Sequence, residues 1–564
     1  MITSNSFVAD QFSLLAKLMD IHGENSFKAK AYSAAAFTID KLPQQLSEIP
    51  PEKFSSIKGI GDSAAKKIIE IFDRGEITAL TALIQKTPPG ITQMLNIKGI
   101  GPKKVCVIWK EMGIENISEL LYACNENRLT LYKGFGEKTQ AGIQQAIEYF
   151  LNNIGTYLYA QIESFALGFN EKLKNNFREY SFLFTGIFRR QLEEINKLEW
   201  VTNVPAAVLQ NYLLENNFVT ENLDTETSVY HGKDENIVLH FYHVEQHKLY
   251  HKLFTTSCSE DFLNAWNEKK YFHDDKTFFS EEEIFEKAQL QFIPAFLREK
   301  SFIISLAENN GIPDVIQVNN ISSIIHSHSK WSDGKSTIEE MANAAIKMGL
   351  QYLVLSDHSK SAFYANGLTE ERLKAQHEEI NELNEQLKPF KIFKSIESDI
   401  LNDGSLDYAN EVLNSFDIVI ASIHSNLKMN EEKAMMRVLN AIKNPFTSIL
   451  GHCTGRLLLG RVGYPVDHKK IIDACAENNV VIELNANPRR LDIDWRYVDY
   501  CIEKKVLISI NPDAHSTDAF RHIKYGVLAA QKAGVTAKQN LSSYSLDQFE
   551  SFLASQHTKR KMQH

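Results

Sequence analysis

The stretch IIHSHSKWSDG (residues 324–334) decides how the C-terminal half of this chain is interpreted. His326 and His328 are two positions apart and directly follow an apolar pair, and the carboxylate Asp333 comes shortly after them. In a β-strand, side chains at positions i and i+2 point to the same side. The spacing therefore predicts two imidazoles facing one way at a strand end, with a loop that can return Asp333 towards them to form a metal site.

The same arrangement recurs along the C-terminal region. Apolar, strand-like runs alternate with helical stretches, which predicts a parallel sheet or barrel whose chemistry lies at the carboxyl ends of the strands. Further imidazoles and carboxylates directly follow these runs: His358, Glu397, His424, His452, Asp513 and His515. Imidazole with carboxylate and no thiolate suits Zn, Mn or Fe. Nine ligands exceed the needs of one ion, so a cluster of two or three divalent ions is predicted.

Composition restricts the class of protein. The hydrophobic fraction of 43% and charged fraction of 23% are typical of globular domains, and no apolar run is long enough for a membrane span. Six scattered cysteines without a CxxC pair indicate free thiols in a reducing, cytoplasmic compartment. The net charge of −10 argues against nucleic acid, but residues 1–150 hold 17 basic and 16 acidic residues. Overall charge therefore does not decide whether DNA is a partner.

Three stretches near the N-terminus form an internal repeat: SIKGIGDSAAKKIIEIF (56–72), NIKGIGPKKVCVIWKEM (96–112) and LYKGFGEKTQAGIQQAI (131–147). Each has a Gly-hydrophobic-Gly turn that feeds a helix N-terminus, where free N–H groups can bind a phosphate without reading bases. The repeats resemble helix-hairpin-helix motifs. The expected DNA-binding residues are Gly59, Gly61, Lys66, Lys67, Gly99, Gly101, Lys103, Lys104, Gly134, Gly136 and Lys138.

Nearly the whole chain resembles a bacterial family X DNA polymerase fused to a PHP (polymerase and histidinol phosphatase) domain. All nine predicted ligands match the PHP pattern. The resemblance implies a multidomain α and α/β protein, nucleoid-associated in a bacterial cytoplasm. The expected parts are an N-terminal helical DNA-end-binding domain (1–85), a second hairpin region (86–150), a polymerase β-like palm and thumb (151–310), a linker (311–322) and a distorted β/α barrel (323–564).

The palm departs from the family pattern at its catalytic positions. The stretch FTGIFRRQLEEINKLEW (184–200) resembles the palm motif when aligned on Gly186, Arg189, Arg190 and Glu193. Ile187 then replaces the phosphate-binding Ser, Lys197 and Glu199 replace two metal-binding aspartates, and Val238 stands at the third. Nucleotidyl transfer needs these carboxylates to hold two divalent ions. A degenerate polymerase site without bound Mg²⁺ is therefore expected.

Some residues allow two interpretations. Lys67 matches the lysine that forms a Schiff base with an abasic sugar in some relatives, but it can equally be an electrostatic contact. Arg456 and Arg461 could grip a phosphate, or form salt bridges within the barrel. Asp357 could orient a metal ligand without itself contacting the ion. Five histidines of the palm-like region are interpreted as surface or packing residues: His231, His240, His243, His247 and His251.

Four functions follow for comparison. The leading one is a metal-dependent 3′-5′ exonuclease or end-processing nuclease in DNA repair, acting as a monomer on DNA ends, gaps or abasic sites without sequence specificity. An active gap-filling polymerase with an attached nuclease is disfavoured by the palm substitutions. The DNA-binding hairpins argue against a small-molecule phosphatase like the histidinol phosphatases. The complete set of predicted metal ligands argues against a non-catalytic DNA-binding scaffold.

Overall fold

The computed structural model describes residues 4–125, 128–152, 155–232, 237–271, 277–459 and 462–562. The chain divides into two compact units, Met1–Ile154 and Gly155–His564. Within the described ranges, no helix is both long and apolar enough to cross a membrane.

The first unit is helical. Its described helices are α1 (Asn5–Ile21), α2 (Ser26–Asp40), α3 (Asp62–Arg74), α4 (Thr78–Gln85), α5 (Pro89–Met94), α6 (Pro102–Lys110), α7 (Ile117–Asn125) and α8 (Glu137–Asn152). Side-chain oxygens of Ser4 and Asn25 accept hydrogen bonds from free N–H groups at the starts of α1 and α2. The apolar faces of the helices share one core, in which Phe12, Phe54 and Phe135 are buried.

The second unit begins with a five-stranded sheet and flanking helices, the region predicted as palm and thumb. The elements are β1 (Tyr157–Leu158), α9 (Tyr159–Asn176), β2 (Phe182–Thr185), α10 (Gly186–Arg189), β3 (Glu194–Ile195), β4 (Leu198–Thr202), α11 (Ala206–Glu215), β5 (Phe218–Leu223), β6 (Thr227–Gly232), β7 (Val238–His243), α12 (Leu249–Thr256), α13 (Glu260–Lys269), α14 (Glu282–Lys287) and α15 (Phe302–Glu308). The sheet order is β2-β4-β7-β6-β5, with β4 and β7 parallel and the other pairs antiparallel.

A seven-stranded parallel sheet forms the rest of the second unit, in the order β8 to β14 along the chain. Its elements are β8 (Ser323–Ile324), α16 (Ile338–Lys347), β9 (Tyr352–Leu355), α17 (Glu370–Gln386), β10 (Lys391–Asp399), α18 (Asn410–Leu413), β11 (Ile418–Ser422), α19 (Glu431–Lys443), β12 (Ile449–Leu450), α20 (His468–Asn478), β13 (Val481–Asn485), α21 (Val498–Glu503), β14 (Ile508–Asn511), α22 (Ile523–Lys532) and α23 (Leu546–Met562).

The seven strands nearly close into a barrel. Just beyond the first and last strands, Ser327 and Ala514 form a parallel bridge that joins the two edges. Because all strands run the same way, their carboxyl ends meet at one face, and the residues that follow them are brought together. The predicted multidomain α and α/β class is confirmed. The predicted boundaries at 85/86, 310/311 and 322/323 stay predictions.

Candidate metal centre and DNA-binding hairpins

The structure brings all nine predicted metal ligands together at the carboxyl-end face of the barrel. They form four overlapping groups, within each of which the ligand atoms lie within 4.8 Å of one another. The groups are His328, Asp333, His358 and His515; His326, His328 and Asp513; His326, Glu397 and His452; and His358, Glu397 and His424. Shared members show that these groups are neighbouring parts of one centre.

Glu397 lies in the middle of this centre. Its carboxylate is 2.9 Å from Nδ1 of His358, 3.1 Å from Nε2 of His424 and 3.0 Å from Nε2 of His452. Nε2 of His326 lies 3.3 Å from Glu397 Oε1, the same oxygen that faces His424 and His452. With different imidazoles at its two oxygens, this carboxylate could serve two neighbouring ions.

Two further carboxylates complete the centre. Asp513 Oδ1 lies 3.1 Å from Nε2 of His328, and Asp333 Oδ2 lies 3.3 Å from Nε2 of His515 and 3.6 Å from Nε2 of His358. Asp513 is buried, whereas Asp333 is half-exposed at the rim. The Asp333 side of the centre is therefore its opening to solvent.

The predicted strand position of the first two histidines is wrong in detail. Strand β8 ends at Ile324, and His326 adopts a left-handed backbone conformation with φ of 64°. The two rings nevertheless face one cluster, 5.2 Å apart, because residues 326–328 continue along the barrel edge and hydrogen-bond to Ala514. Asp513 also has positive φ, at 50°. Such strain in residues other than glycine is concentrated at functional sites.

The donor set fits divalent ions. Among the described residues, several buried atoms of the cluster have no hydrogen-bond partner of suitable geometry: His326 Nε2, His328 Nδ1, His358 Nδ1, His452 Nδ1 and Glu397 Oε2. Buried polar atoms rarely remain unsatisfied in a folded protein. Mixed imidazole and carboxylate donors suit Zn, Mn or Fe, as the sequence predicted.

The electrostatics of the centre show how closely its charges are coupled. Burial opposes protonation of His424, but Glu397 and Asp399 outweigh it and raise the pKa of this imidazole to about 10. Burial and the neighbouring rings of His515 and His358 lower the pKa of His328 to about 3. Two imidazoles of the same centre thus have pKa values shifted in opposite directions, because carboxylates surround His424 and other imidazoles surround His328.

Two residues that orient the ligands were not predicted. Glu483 Oε2 lies 2.6 Å from Nδ1 of His326 and also accepts a hydrogen bond from Asn511, and Asp399 Oδ1 lies 2.5 Å from Nδ1 of His424. Each carboxylate fixes the ring so that Nε2 points at Glu397. The signal for Glu483 was an acid inside the apolar strand VVIELN, where an ionised group needs a partner.

Asp357 acts on a loop rather than on a ligand ring. Its carboxylate accepts hydrogen bonds from Ser329, Ser332 and Gln376. Ser329 and Ser332 lie between His328 and Asp333 in sequence, so this buried acid fixes the path of the segment that returns Asp333 to the centre.

The two predicted phosphate-binding arginines have different outcomes. Arg456 pairs with Asp494 at 2.5 Å and donates to the carbonyls of Arg490 and Leu491, which is the salt bridge within the barrel that the sequence left open. Arg461 lies outside the described residues. Another cation, Arg490, lies 3.7 Å from the ligand Asp513 through its Nε and was not predicted.

At the palm, an internal network occupies the position of the expected carboxylates. Lys197 Nζ lies 2.8 Å from Glu199, and the Tyr242 hydroxyl donates to the same carboxylate oxygen at 3.0 Å. The β4–β7 register pairs Glu199 with His240, whose Nδ1 is 3.9 Å from it. His240 therefore stands opposite Glu199, two residues beyond Val238 in β7. Strand register could not be read from the sequence.

The two motif arginines of the palm are held by acids of the thumb. Arg189 makes a bidentate pair with Glu281 at 2.8 and 2.6 Å, and Arg190 pairs with Glu299 at 3.0 Å. Arg298 also donates to Glu281. These guanidinium groups therefore form ion pairs within the protein.

The other palm histidines agree with a surface or packing role. His243 is buried between Ser228 and the carbonyl of Val204, and His231 pairs at the surface with Glu221. His247 lies beside Glu245, and the ring of His251 stacks on Phe278.

The three predicted hairpins share one turn geometry. The first glycine of each has positive φ, 96° at Gly59, 87° at Gly99 and 93° at Gly134. The second glycines, Gly61, Gly101 and Gly136, directly precede α3, α6 and α8. In each turn the central apolar residue donates its N–H to the carbonyl three residues earlier. The repeat is therefore structural, and each copy leaves a helix N-terminus open to solvent.

The lysines around these turns are mostly exposed: Lys66, Lys103 and Lys138 face solvent, whereas Lys104 donates to the carbonyl of Gly99. Lys67 lies 3.9 Å from Glu70 and 5.9 Å from the ring of Tyr32. A second set was overlooked: Lys58, Lys98 and Lys133 directly precede the first glycine of each hairpin and are exposed.

Comparison with known proteins agrees with this architecture. Residues 3–77 match a helix-hairpin-helix domain, 91–148 a SAM-like helix-hairpin-helix tandem, and 325–487 a PHP domain. The DNA polymerase/3′-5′ exonuclease PolX of Bacillus subtilis is 34% identical over 96% of this chain and 97% of its own length. The chain belongs to the PolX family. Its resemblance to family X polymerases with a PHP domain is thereby confirmed.

Within this PolX-family chain, the barrel has relatives of its own. A probable phosphatase of Thermoanaerobacter is 30% identical over 36% of the chain and 81% of its own length. A probable phosphatase of Vibrio atlanticus is 28% identical over 34% of the chain and 76% of its own length. The barrel is thus a module that occurs with and without the hairpins and palm.

Proposed function

We propose that this chain is a metal-dependent phosphodiesterase that removes nucleotides from DNA 3′ ends during repair. The observation that carries the proposal is the convergence of nine imidazole and carboxylate side chains, with Glu397 in the middle of the other eight. Three hairpins with open helix N-termini support DNA as the substrate. The 3′-5′ polarity is supported by the name of the Bacillus subtilis relative.

The groups in the centre suit three ion positions. We assign the first to His326, His328 and Asp513, the second to His424 and His452, and the third to Asp333, His358 and His515, with Glu397 shared between the second and the third. Ions bound there would polarise the phosphodiester and activate water for attack. Glu483 and Asp399 keep the ligand rings oriented through Nδ1, and Arg490 supplies positive charge beside Asp513.

The proposed partners are DNA ends, gaps or abasic sites, bound by a monomer without sequence specificity. Turn glycines and helix N-termini contact phosphates and not base edges, so they give affinity without sequence preference. Several hairpins in one chain give several phosphate contacts without a second subunit. The lyase role of Lys67 remains a further proposal for abasic sites.

We propose that templated synthesis has been lost. At the palm, Lys197 neutralises Glu199, and the motif arginines are paired with Glu281 and Glu299. A Lys–Glu pair is a poor site for Mg²⁺, which needs several oxygen ligands in octahedral geometry. The Bacillus subtilis relative is named as a polymerase, so this proposal concerns the substitutions of the present chain.

A second candidate function is hydrolysis of small phosphate monoesters by the same centre. The observation in its favour is the similarity of the barrel to probable phosphatases that cover only about a third of this chain. The two candidates share the reaction and differ in the substrate.

The test compares substrates at one centre. Purified protein with Mn²⁺ is given a 3′-recessed DNA duplex or p-nitrophenyl phosphate, and kcat/KM is measured for both. The nuclease proposal expects the DNA value to be higher by about a hundredfold or more, since remote phosphate contacts contribute only to the polymer. Equal values, or a preference for the monoester, would favour the second candidate.

A further inference from the structure

A segment of the palm motif is seated on the barrel. Leu192 packs against the barrel core. Next to it, Glu193 is buried, with one carboxylate oxygen 2.7 Å from Arg496 and the other accepting from the indole of Trp495 at 3.0 Å. A buried carboxylate satisfied at both oxygens by residues of another domain is a specific contact.

From this contact, a chain of ion pairs runs into the loop between β13 and α21, residues 487–496. Arg496 also pairs with Asp494 at 3.0 Å, and Asp494 pairs with Arg456 at 2.5 Å. The same Arg456 donates to the carbonyls of Arg490 and Leu491. The path of the 487–496 loop is thus set by charges that begin at a palm residue.

Side chains in and next to this loop contact the predicted metal ligand Asp513. Arg490 Nε lies 3.7 Å from Asp513 Oδ2, and Asn485 donates to the same oxygen at 3.1 Å. The backbone of Asn485 is in turn fixed by the carbonyl of Asp492. Displacement of the 487–496 loop would therefore disturb Asp513, which is buried and already held in a strained conformation.

We infer that Glu193 is a positioning residue for the metal centre. The motif glutamate of the palm holds Arg496 and Trp495, and the pairs of Asp494 and Arg456 carry this restraint through the 487–496 loop to Asp513. The inference rests on the proposed nuclease function for its effect on turnover. It also gives the palm a use without nucleotide transfer, as a support for the barrel.

The chain contains a matched control contact. Glu163 of α9 pairs with Lys524 of α22 at 2.6 Å, and it accepts a hydrogen bond from Tyr525. This pair also joins palm and barrel through a buried carboxylate, and among the described residues neither Glu163 nor Lys524 forms a hydrogen bond or ion pair with the 487–496 loop. Glu163→Ala should therefore loosen the same interface without disturbing the metal centre.

The experiment measures hydrogen exchange and kinetics on the full chain. In metal-free protein, Glu193→Ala should speed amide exchange across residues 487–496, and Glu163→Ala should not. With Mn²⁺ and 3′-recessed DNA, Glu193→Ala should lower kcat about tenfold, as for other residues behind metal ligands, with KM changed less than about twofold. Glu193→Gln, which keeps one acceptor for Trp495 but loses the charge that pairs with Arg496, should lie between Glu193→Ala and wild type in both measurements.

Arg496→Gln breaks the same pair from the barrel side and should reproduce the Glu193→Ala pattern. The inference is overturned if loop exchange is unchanged in both variants, or if Glu163→Ala increases it equally. A wild-type protein that cleaves no DNA would defeat the proposed function, while the exchange measurement would still decide the role of Glu193.

Discussion

The carboxylate of Glu483 lies 2.6 Å from Nδ1 of His326 and also accepts a hydrogen bond from the backbone N–H of His452. With a metal ion at Nε2, this contact would keep the imidazole proton on Nδ1, and Nε2 lies 3.3 Å from Glu397 and 3.6 Å from Asp513. One buried acid therefore orients two ligands of the centre without belonging to it.

Replacing this acid should weaken metal binding. We expect Glu483→Gln to lower Mn²⁺ affinity by about 10- to 100-fold, because the amide loses the charge that fixes the ring. Calorimetric titration of the purified protein with Mn²⁺ measures this. Asp473→Asn is the control, since Asp473 pairs with Lys504 on outer helices. Unchanged affinity in Glu483→Gln would contradict this role.

The overlooked lysines of the hairpins should contribute to DNA affinity. Changing Lys58, Lys98 and Lys133 together to Gln should flatten the slope of log affinity against log salt by about 0.9 for each phosphate that is no longer neutralised. Fluorescence anisotropy with duplex DNA across a salt series gives the slope. Lys110→Gln, at the far end of α6, should leave it unchanged. The same slope in the triple variant would remove these residues from the interface.

Gly186 of the palm should not tolerate a side chain. Its φ is +64°, and a Cβ there would overlap the carboxylate of Glu199. We expect Gly186→Ala to lower the stability of the second unit by about 2 kcal/mol, from strain and displacement of that buried acid. Gly168→Ala, at an exposed position inside α9, should instead be neutral or stabilising by up to about 1 kcal/mol. Thermal unfolding followed by circular dichroism compares the two variants, and equal melting temperatures would contradict the assigned conformation.

The pair of Glu281 with two arginines should depend on pH. Burial alone would raise the pKa of Glu281, but Arg298 and Arg189 outweigh it and lower the pKa to about 2 from the ordinary 4.5. Since the folded pKa lies below the unfolded one, the ionised carboxylate contributes stability that is complete above about pH 4.5 and disappears as the pH falls through about 2.

The test compares Glu281→Gln with wild type by urea unfolding. Near neutral pH the variant should be less stable by roughly 2–4 kcal/mol, and this difference should shrink as the pH is lowered from about 5 to about 3. Glu282→Gln, at an exposed neighbour on α14, should match the wild type throughout. A difference that is constant with pH would exclude the ion pair as its source.

The candidate metal centre was accessible to sequence reasoning because its signal is local. A histidine or acid directly after an apolar run lies at a strand end, and parallel topology then brings strand ends together. Even His326, which lies beyond the strand in a left-handed conformation, was placed in the right cluster.

The partners of the palm residues could not be predicted, because they lie far away in the sequence. The acids that hold Arg189 and Arg190 are 92 and 109 residues away along the chain. His240 faces Glu199 only because of the β4–β7 register, and a shift of one residue would turn it to the other face of the sheet. Glu193 was assigned to the palm motif, and its partners Trp495 and Arg496 lie in a loop that carried no motif.

Nuclease and polymerase activity can be measured together on a 5′-labelled primer annealed to a longer template, with Mn²⁺ and all four dNTPs. Wild type is compared with Glu397→Gln, which changes the carboxylate shared within the centre. We expect the wild type to shorten the primer from its 3′ end, the variant to leave it intact, and neither protein to extend it. Extension by both proteins would contradict the loss of templated synthesis, and shortening that persists in Glu397→Gln would contradict nuclease activity at this centre.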